Sequence, residues 1–158
     1  MITRLAVPAD IPQLVAILNE IIAIGGTTAY QEPVTPDYFD RLVNSKEEQT
    51  FIHVAAKGSD IEGFQWINPS PERAALASIA TFARPGTTQR GIGTALFAAT
   101  KQAAKKANFD EIDATIRRDN TGGLAYYSKM GFEDHSVTEA VPLKDGTPVD
   151  RIHKRLKL

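Results

Sequence analysis

Ser78-Ile79-Ala80-Thr81-Phe82-Ala83, then Arg84-Pro85-Gly86-Thr87-Thr88-Gln89-Arg90, then Gly91-Ile92-Gly93-Thr94-Ala95-Leu96-Phe97 is the stretch on which the fold turns. Its first part reads as a strand and its last part opens a helix running from about Gly93 to Asn108, with a glycine pair at the junction. The first amides of a helix have no internal partners, and the helix dipole favours anions there. Glycines at 91 and 93 remove side chains that would hold a phosphate away from those amides. A tight strand-to-helix turn with no ligand explains the same pair, so the glycines alone leave both readings open. Two well-known phosphate loops fail on single residues. A Walker loop needs lysine where Ile92 stands, although Gly86 and Gly91 have its spacing. A Rossmann fingerprint needs glycine or alanine where Leu96 stands.

Working outward, Ile2 to Ala6 reads as a short strand. Asp10 then caps a helix in which Pro12 takes a first-turn place and Gln13 a capping-box place. Ile11, Leu14, Val15, Leu18, Ile21 and Ile22 recur at steps of three and four, and Gly25-Gly26 stops the helix. Thr35-Pro36 starts a second, shorter helix that buries Tyr38, Phe39, Leu42 and Val43. Phe51 to Ala56 and Ile61 to Asn68 form a strand pair turning at Lys57-Gly58-Ser59-Asp60. Beyond the glycine loop and its helix, Ile112 to Ile116 is a strand. Asn120 caps a helix ending at Met130-Gly131, and Val137 to Val141 with Val149 to Leu156 make a hairpin around Lys144-Asp145-Gly146-Thr147. The order β-α-α-β-β-β-α-β-α-β-β predicts an α/β protein, a mixed central sheet flanked by about four helices.

At 158 residues the expectation is one domain over 1–158. A domain of that size buries roughly 70% of its unfolded surface without disulfide or metal staples. There is no cysteine, which excludes a thiolate zinc site or a Cys nucleophile, and His53, His135 and His153 lack partners at ligand spacing, so no metal is expected. A formal charge of −1 asks for no polyanion, and only the Arg151, Lys154, Arg155, Lys157 tail speaks for nucleic acid. Met1 to Ala6 has no basic-then-apolar leader, and the apolar run Ile11 to Ile24 is broken by Gln13, Asn19 and Glu20. A cytoplasmic chain with neither membrane nor nucleic acid as partner is the expectation.

Read with the second half, the loop resembles the Gln/Arg-x-x-Gly-x-Gly/Ala pattern of the GCN5-related N-acetyltransferase superfamily, with Gly91 and Gly93 in register. Some thirty residues on, Asn120-Thr121-Gly122-Gly123-Leu124-Ala125-Tyr126-Tyr127-Ser128-Lys129-Met130-Gly131-Phe132 resembles that family's Asn-x-x-Ala-x-x-x-Tyr-x-Lys-x-Gly-Phe helix. Ala6 to Pro12 is similar to its opening, so the likeness covers nearly the whole chain. Two positions depart: Thr88 stands at the Gln/Arg position and Gly123 at the usual alanine. Thr28 to Thr35 is similar to the phosphinothricin acetyltransferase-like branch, over a short stretch.

The resemblance implies a GNAT-like fold, acetyl-coenzyme A as co-substrate and direct transfer to the primary amine of a small molecule, an amino acid or analogue among the options. A catalytically degenerate coenzyme-binding module is the alternative. Thr88, Gln89, Arg90, Gly91, Ile92, Gly93 and Thr94 would hold the pyrophosphate, Phe82 and Ala83 would pair with the pantetheine arm, and Asn120 would contact the pantetheine or the phosphate arm. Tyr127 would be the general acid, because a phenol of pKa near 10 is protonated at neutral pH. Taken alone, Tyr127 reads first as a buried aromatic on a short helix, and the two-motif pattern reverses that reading. The base stays open. The strand before the loop carries Ser78 and Thr81 but no acid, which leaves Glu32 as the candidate, equally an exposed loop carboxylate, ahead of His53 and His135. Relatives often dimerise, and an apolar C-terminal hairpin permits a homodimer.

Overall fold

Strands that alternate apolar side chains to two faces form the centre of the molecule, and the helices divide between those faces. The computed structural model describes residues 1–44, 49–87 and 91–158. Its strands are β1 (Ile2–Leu5), β2 (Phe51–Lys57), β3 (Asp60–Pro69), β4 (Leu76–Ala83), β5 (Glu111–Arg117), β6 (Glu133–Pro142) and β7 (Pro148–Lys157). The helices are α1 (Ile11–Ile24), α2 (Pro36–Val43), α3 (Ile92–Lys106) and α4 (Thr121–Lys129). The seven strands make one sheet in the order β1-β2-β3-β4-β5-β7-β6. Every pair is antiparallel except β4 with β5, the mixed sheet that the element order predicts.

One face carries Ile52, Val54, Phe64, Trp66 and Phe82 against Leu14, Ile17 and Leu18 of α1 and Phe39 of α2. Each such side chain contributes about 1.5–3 kcal/mol on leaving water. The opposite face sets Ile67, Ile79, Ile112 and Ala114 against Phe97 and Ala104 of α3 and Tyr127 of α4. Register decides which residues share a face: Gln65 of β3 lies opposite Thr81 of β4, one step from Ile67 opposite Ile79.

Three local expectations are corrected. Asp10 does not cap α1 through its side chain. It sits in a 3₁₀ turn, Pro8–Asp10, with its carboxylate on Arg4 Nη1 and Nη2 at 2.7 and 3.0 Å and on the Val7 N–H at 2.8 Å. Gln13 is a tie between elements instead of a capping-box residue. Its Oε1 accepts from Ile61 N at 2.7 Å and Arg84 Nη2 at 3.0 Å, and its Nε2 donates to Ser59 O at 2.8 Å. The strand placed at Val137 begins at Glu133.

The feature that positions the site is a split in the sheet. β4 and β5 are bonded only from Leu76↔Glu111 to Ile79↔Ala114. Beyond that point β4 stays with β3 as far as Ala83↔Gly63, and β5 stays with β7 as far as Arg117↔Arg151. The strands therefore open into a V whose inner edge, Ala80 to Ala83, has backbone groups with no neighbouring strand.

Candidate active site

A cleft of about 470 Å³ fills the V between Thr81, Phe82 and Ala83 of β4, the start of α3 at Gly91 to Gly93, and Asn120, Gly122, Gly123, Tyr126 and Tyr127 of α4. A smaller pocket of about 140 Å³ continues it toward Tyr30, Thr115, Arg117 and Arg151. Thr27, Thr28, Thr81, Phe82, Asn120 and Tyr127 line both, so the two compartments meet there. Neither lining contains an acidic residue among the described residues.

Each glycine at the mouth has its own physical reason. Gly91 ends the loop with φ +86° and open space around it, the left-handed conformation that glycine adopts without strain. Gly93 has a packing reason besides the one its motif suggests. A Cβ there would lie 2.5 Å from Tyr126 Cε1, so its bareness makes room for that ring. Gly123 lets Asn120 fold back, since a Cβ at 123 would meet Asn120 Nδ2 at 2.5 Å. The first bond of α3 runs from Ala95 N–H to Gly91 O at 2.9 Å, leaving the amides of Ile92, Gly93 and Thr94 without intrahelical partners.

Tyr127 is buried against Phe132, ring centroids 5.1 Å apart, and its Oη lies 2.7 Å from Thr81 Oγ1. Burial pushes this phenol well above its ordinary pKa, the Thr81 hydrogen bond pulling back only in part, so it holds its proton at neutral pH. Tyr126 donates to Gly93 O at 2.8 Å and accepts from Gln65 Nε2 at 3.1 Å; burial raises its pKa too. Gln65, fully buried, also donates from Nε2 to Thr81 Oγ1 at 2.8 Å. Asn120 accepts from Gly123 N at 2.9 Å and donates to Thr27 O at 2.9 Å. Arg117 holds the same segment through Thr28 O at 3.1 Å, with Asp119 on its other nitrogens at 3.0 and 2.7 Å. The segment between α1 and α2 is thus tied across the mouth of the V.

Of the residues expected from sequence, Phe82, Ala83, Gly91, Ile92, Gly93, Asn120 and Tyr127 come together around the cleft. Thr94 is exposed on α3 and outside the lining, and Thr88, Gln89 and Arg90 lie outside the described residues. Glu32 is not brought to the cleft. Its side chain is 68% exposed, pairs with Lys144 in the β6–β7 turn and lines neither compartment. His53 is buried in β2, where desolvation lowers its pKa, and His135 lines a separate surface hollow with Glu133 and Asp134. Sequence reading passed over Gln65, Thr81, Tyr126 and Arg151 as members of one site. The signal for Thr81 and Gln65 is a pair of polar residues inside two strands that otherwise bury apolar side chains.

Residues 16–132 match the sequence pattern of the acetyltransferase (GNAT) family. The chain belongs to that family. As a GNAT fold it superposes on the ribosomal-protein-alanine N-acetyltransferase from Brucella melitensis with a TM-score of 0.91, at 21% identity over 100% of both chains. It superposes on a GNAT superfamily phosphinothricin acetyltransferase from Sinorhizobium meliloti, solved in complex with AcCoA, with a TM-score of 0.86 at 21% identity over 99% of this chain and 88% of that one. The mycothiol acetyltransferase of Clavibacter sepedonicus is 31% identical over 77 residues, 49% of this GNAT chain and 25% of that protein. The match spans about a quarter of that relative's length. The three names carry three different acceptors, so likeness of fold does not choose among them. Among the described residues no helix is long and apolar enough to cross a membrane, and no three His, Cys, Asp or Glu side chains gather as metal ligands.

Proposed function

We propose that the protein is an acetyl-coenzyme A-dependent N-acetyltransferase for a small amine that carries an anionic group, an α-amino acid or analogue. The observation that carries the reading is the meeting, in one cleft, of an unpaired strand edge, free helix amides and the protonated phenol of Tyr127. These groups fit the coenzyme. The edge at Ala80 to Ala83 offers backbone groups to an amide-bearing chain, as an added strand would use them. The amides of Ile92 to Thr94 suit a pyrophosphate, and no acid in the lining opposes it.

Acetyl-coenzyme A supplies its acetyl group as a thioester, so acylation forms a C–N bond, breaks the C–S bond and leaves a thiolate that takes up a proton as the nitrogen sheds one. Tyr127 is the catalytic residue for that proton. It is protonated at neutral pH, it lines both compartments, and solvent returns its proton afterwards. The smaller pocket selects the acceptor. Arg151 lines it with no ion pair among the described residues, whereas Arg117 there is committed to Asp119 and Thr28 O. A free guanidinium holds a carboxylate in a two-pronged grip. With the Arg151 cation and no acid in the lining, an amine in this pocket is favoured in its neutral, attacking form.

Isothermal titration with acetyl-coenzyme A, with adenosine diphosphate as control, tests the reading. Micromolar affinity for the coenzyme, with turnover on one or more of the standard α-amino acids or phosphinothricin, is the expected result. Absence of coenzyme binding refutes the enzyme reading; binding without turnover on that panel refutes the acceptor class.

A further inference from the structure

Of the hydrogen bonds beneath Tyr127, those of Tyr126 and Gln65 have a determinable direction, and the one between Thr81 and Tyr127 can run either way. Tyr126 has one hydroxyl hydrogen, and it goes to Gly93 O at 2.8 Å. The Gln65 atom that faces Tyr126 Oη at 3.1 Å must therefore be a donor, which fixes the amide with Nε2 on this side. The same nitrogen donates to Thr81 Oγ1 at 2.8 Å. Thr81, already accepting from Gln65, has one hydrogen of its own; Tyr127 Oη at 2.7 Å is open to it, whereas Tyr126 Oη, which also interacts with Thr81, already accepts from Gln65. When Thr81 donates there, the Tyr127 hydrogen has no protein acceptor among the described residues and is left for the cleft. An acceptor at position 65 would draw the Thr81 hydrogen inward, make Tyr127 donate to Thr81, and take that hydrogen out of the cleft.

Resting on the proton-donor reading of Tyr127, we propose that Gln65 and Thr81 are positioning residues that aim the Tyr127 hydroxyl hydrogen into the cleft and hold the phenolate left after transfer. The step is a plain proton transfer: the O–H bond of Tyr127 breaks, an S–H bond forms on the leaving thiolate, and the Thr81 hydrogen stays on Oγ1 facing the phenolate oxygen. Gln65 loses and gains nothing. It keeps Thr81 an acceptor on one side so that Thr81 donates on the other. Motif comparison does not supply this pair, since the two residues lie on different strands sixteen positions apart and meet only through register.

The test is a double-mutant cycle, with thiol release from acetyl-coenzyme A measured on the best acceptor from the amino-acid and phosphinothricin panel. Thr81→Val should lower kcat about tenfold with KM for acetyl-coenzyme A unchanged, and Thr81→Ser should restore most of it. In a Tyr127→Phe background, itself down by about 10²-fold or more, Thr81→Val should cost nothing further, because Thr81 acts only through that hydroxyl. Undiminished kcat in Thr81→Val, or a full additional loss in the Tyr127→Phe background, overturns the positioning role and leaves the acid role standing. Undiminished turnover in Tyr127→Phe overturns both. Neutron diffraction on the deuterated wild-type protein needs no acceptor. It should place the Thr81 deuteron between Oγ1 and Tyr127 Oη; a Tyr127 deuteron on that line refutes the assignment.

Discussion

Gly93→Ala is the substitution for which the structure makes the sharpest forecast. A methyl at 93 would lie 2.5 Å from Tyr126 Cε1, 3.2 Å from Cζ and 3.3 Å from Cδ1. Carbon atoms prefer about 3.5–4.0 Å, so the ring must retreat by roughly 1 Å. A shift toward the cleft it lines strains the contacts that hold it, its hydroxyl on Gly93 O and Gln65 Nε2 and its ring against Tyr127, 4.9 Å away between centroids. Overpacking of this kind costs about 1–3 kcal/mol, and each displaced hydrogen bond about 1 kcal/mol more. Alanine is the better helix former by about 1 kcal/mol, which offsets part of the loss. The net is roughly 1–3 kcal/mol of destabilisation, a Tm lower by about 3–10 °C at this chain length. Thermal melting by circular dichroism reads it directly. Gly91→Ala serves as the comparison: its Cβ meets nothing within 4 Å, and its cost, about 1 kcal/mol, is that of a left-handed backbone alone. Adding Tyr126→Ala should abolish the Gly93→Ala penalty. A Gly93→Ala protein that melts at or above the wild type refutes the packing argument.

Two further outcomes follow from the charges. The hydrogen bonds from Arg4 hold Asp10 below the usual carboxylate range, with burial opposing and the Val7 N–H assisting. A folded pKa below the unfolded one adds stability that is present above about pH 4 and lost as pH falls through the folded value. The Tm gap between wild type and Asp10→Asn should therefore be widest near neutrality and close in acid; a gap constant with pH contradicts the ion pair's role. At Arg151, replacement by Met should raise KM for a carboxylate-bearing amine by roughly tenfold to a hundredfold, the worth of a charged hydrogen bond of about 1.5–3 kcal/mol, with coenzyme affinity unmoved. Equal KM values would show that the guanidinium does not hold the acceptor.

Element order was legible because buried faces print their period on the chain: threes and fours in Ile11 to Ile22, twos in Phe51 to Ile67. Where both faces meet water that print fades. β6 is an edge strand with nearly every residue exposed, so Glu133 to Ser136 carry no alternation and its true start was hidden. The roles of Asp10 and Gln13 were misread because local capping competes with partners far along the chain, Ile61 and Arg84 for Gln13. For the site, the glycine loop and the α4 motif were readable because each is contiguous. The Gln65–Thr81–Tyr127 line was not, since it is assembled by strand register. The place of Glu32 was hidden for a different reason: a loop carboxylate has no pattern that says where it will point, and here it pairs with Lys144 away from the cleft lining.

The ties that Asn120 and Arg117 make across the mouth of the V end on the main-chain carbonyls of Thr27 and Thr28. Every amino acid carries that carbonyl. Those two ties therefore survive a change of side chain at 27 or 28, while the Thr28 hydroxyl on Tyr30 N and the Tyr30 hydroxyl on Tyr38 add ties of their own, and Ala29 and Tyr30 face the smaller pocket. At Ala29, which lines that pocket with no side-chain tie among the described residues, the lining can change while the main-chain ties on either side stay, so a descendant of this chain has a route to a reshaped pocket that does not pass through an unfolded mouth.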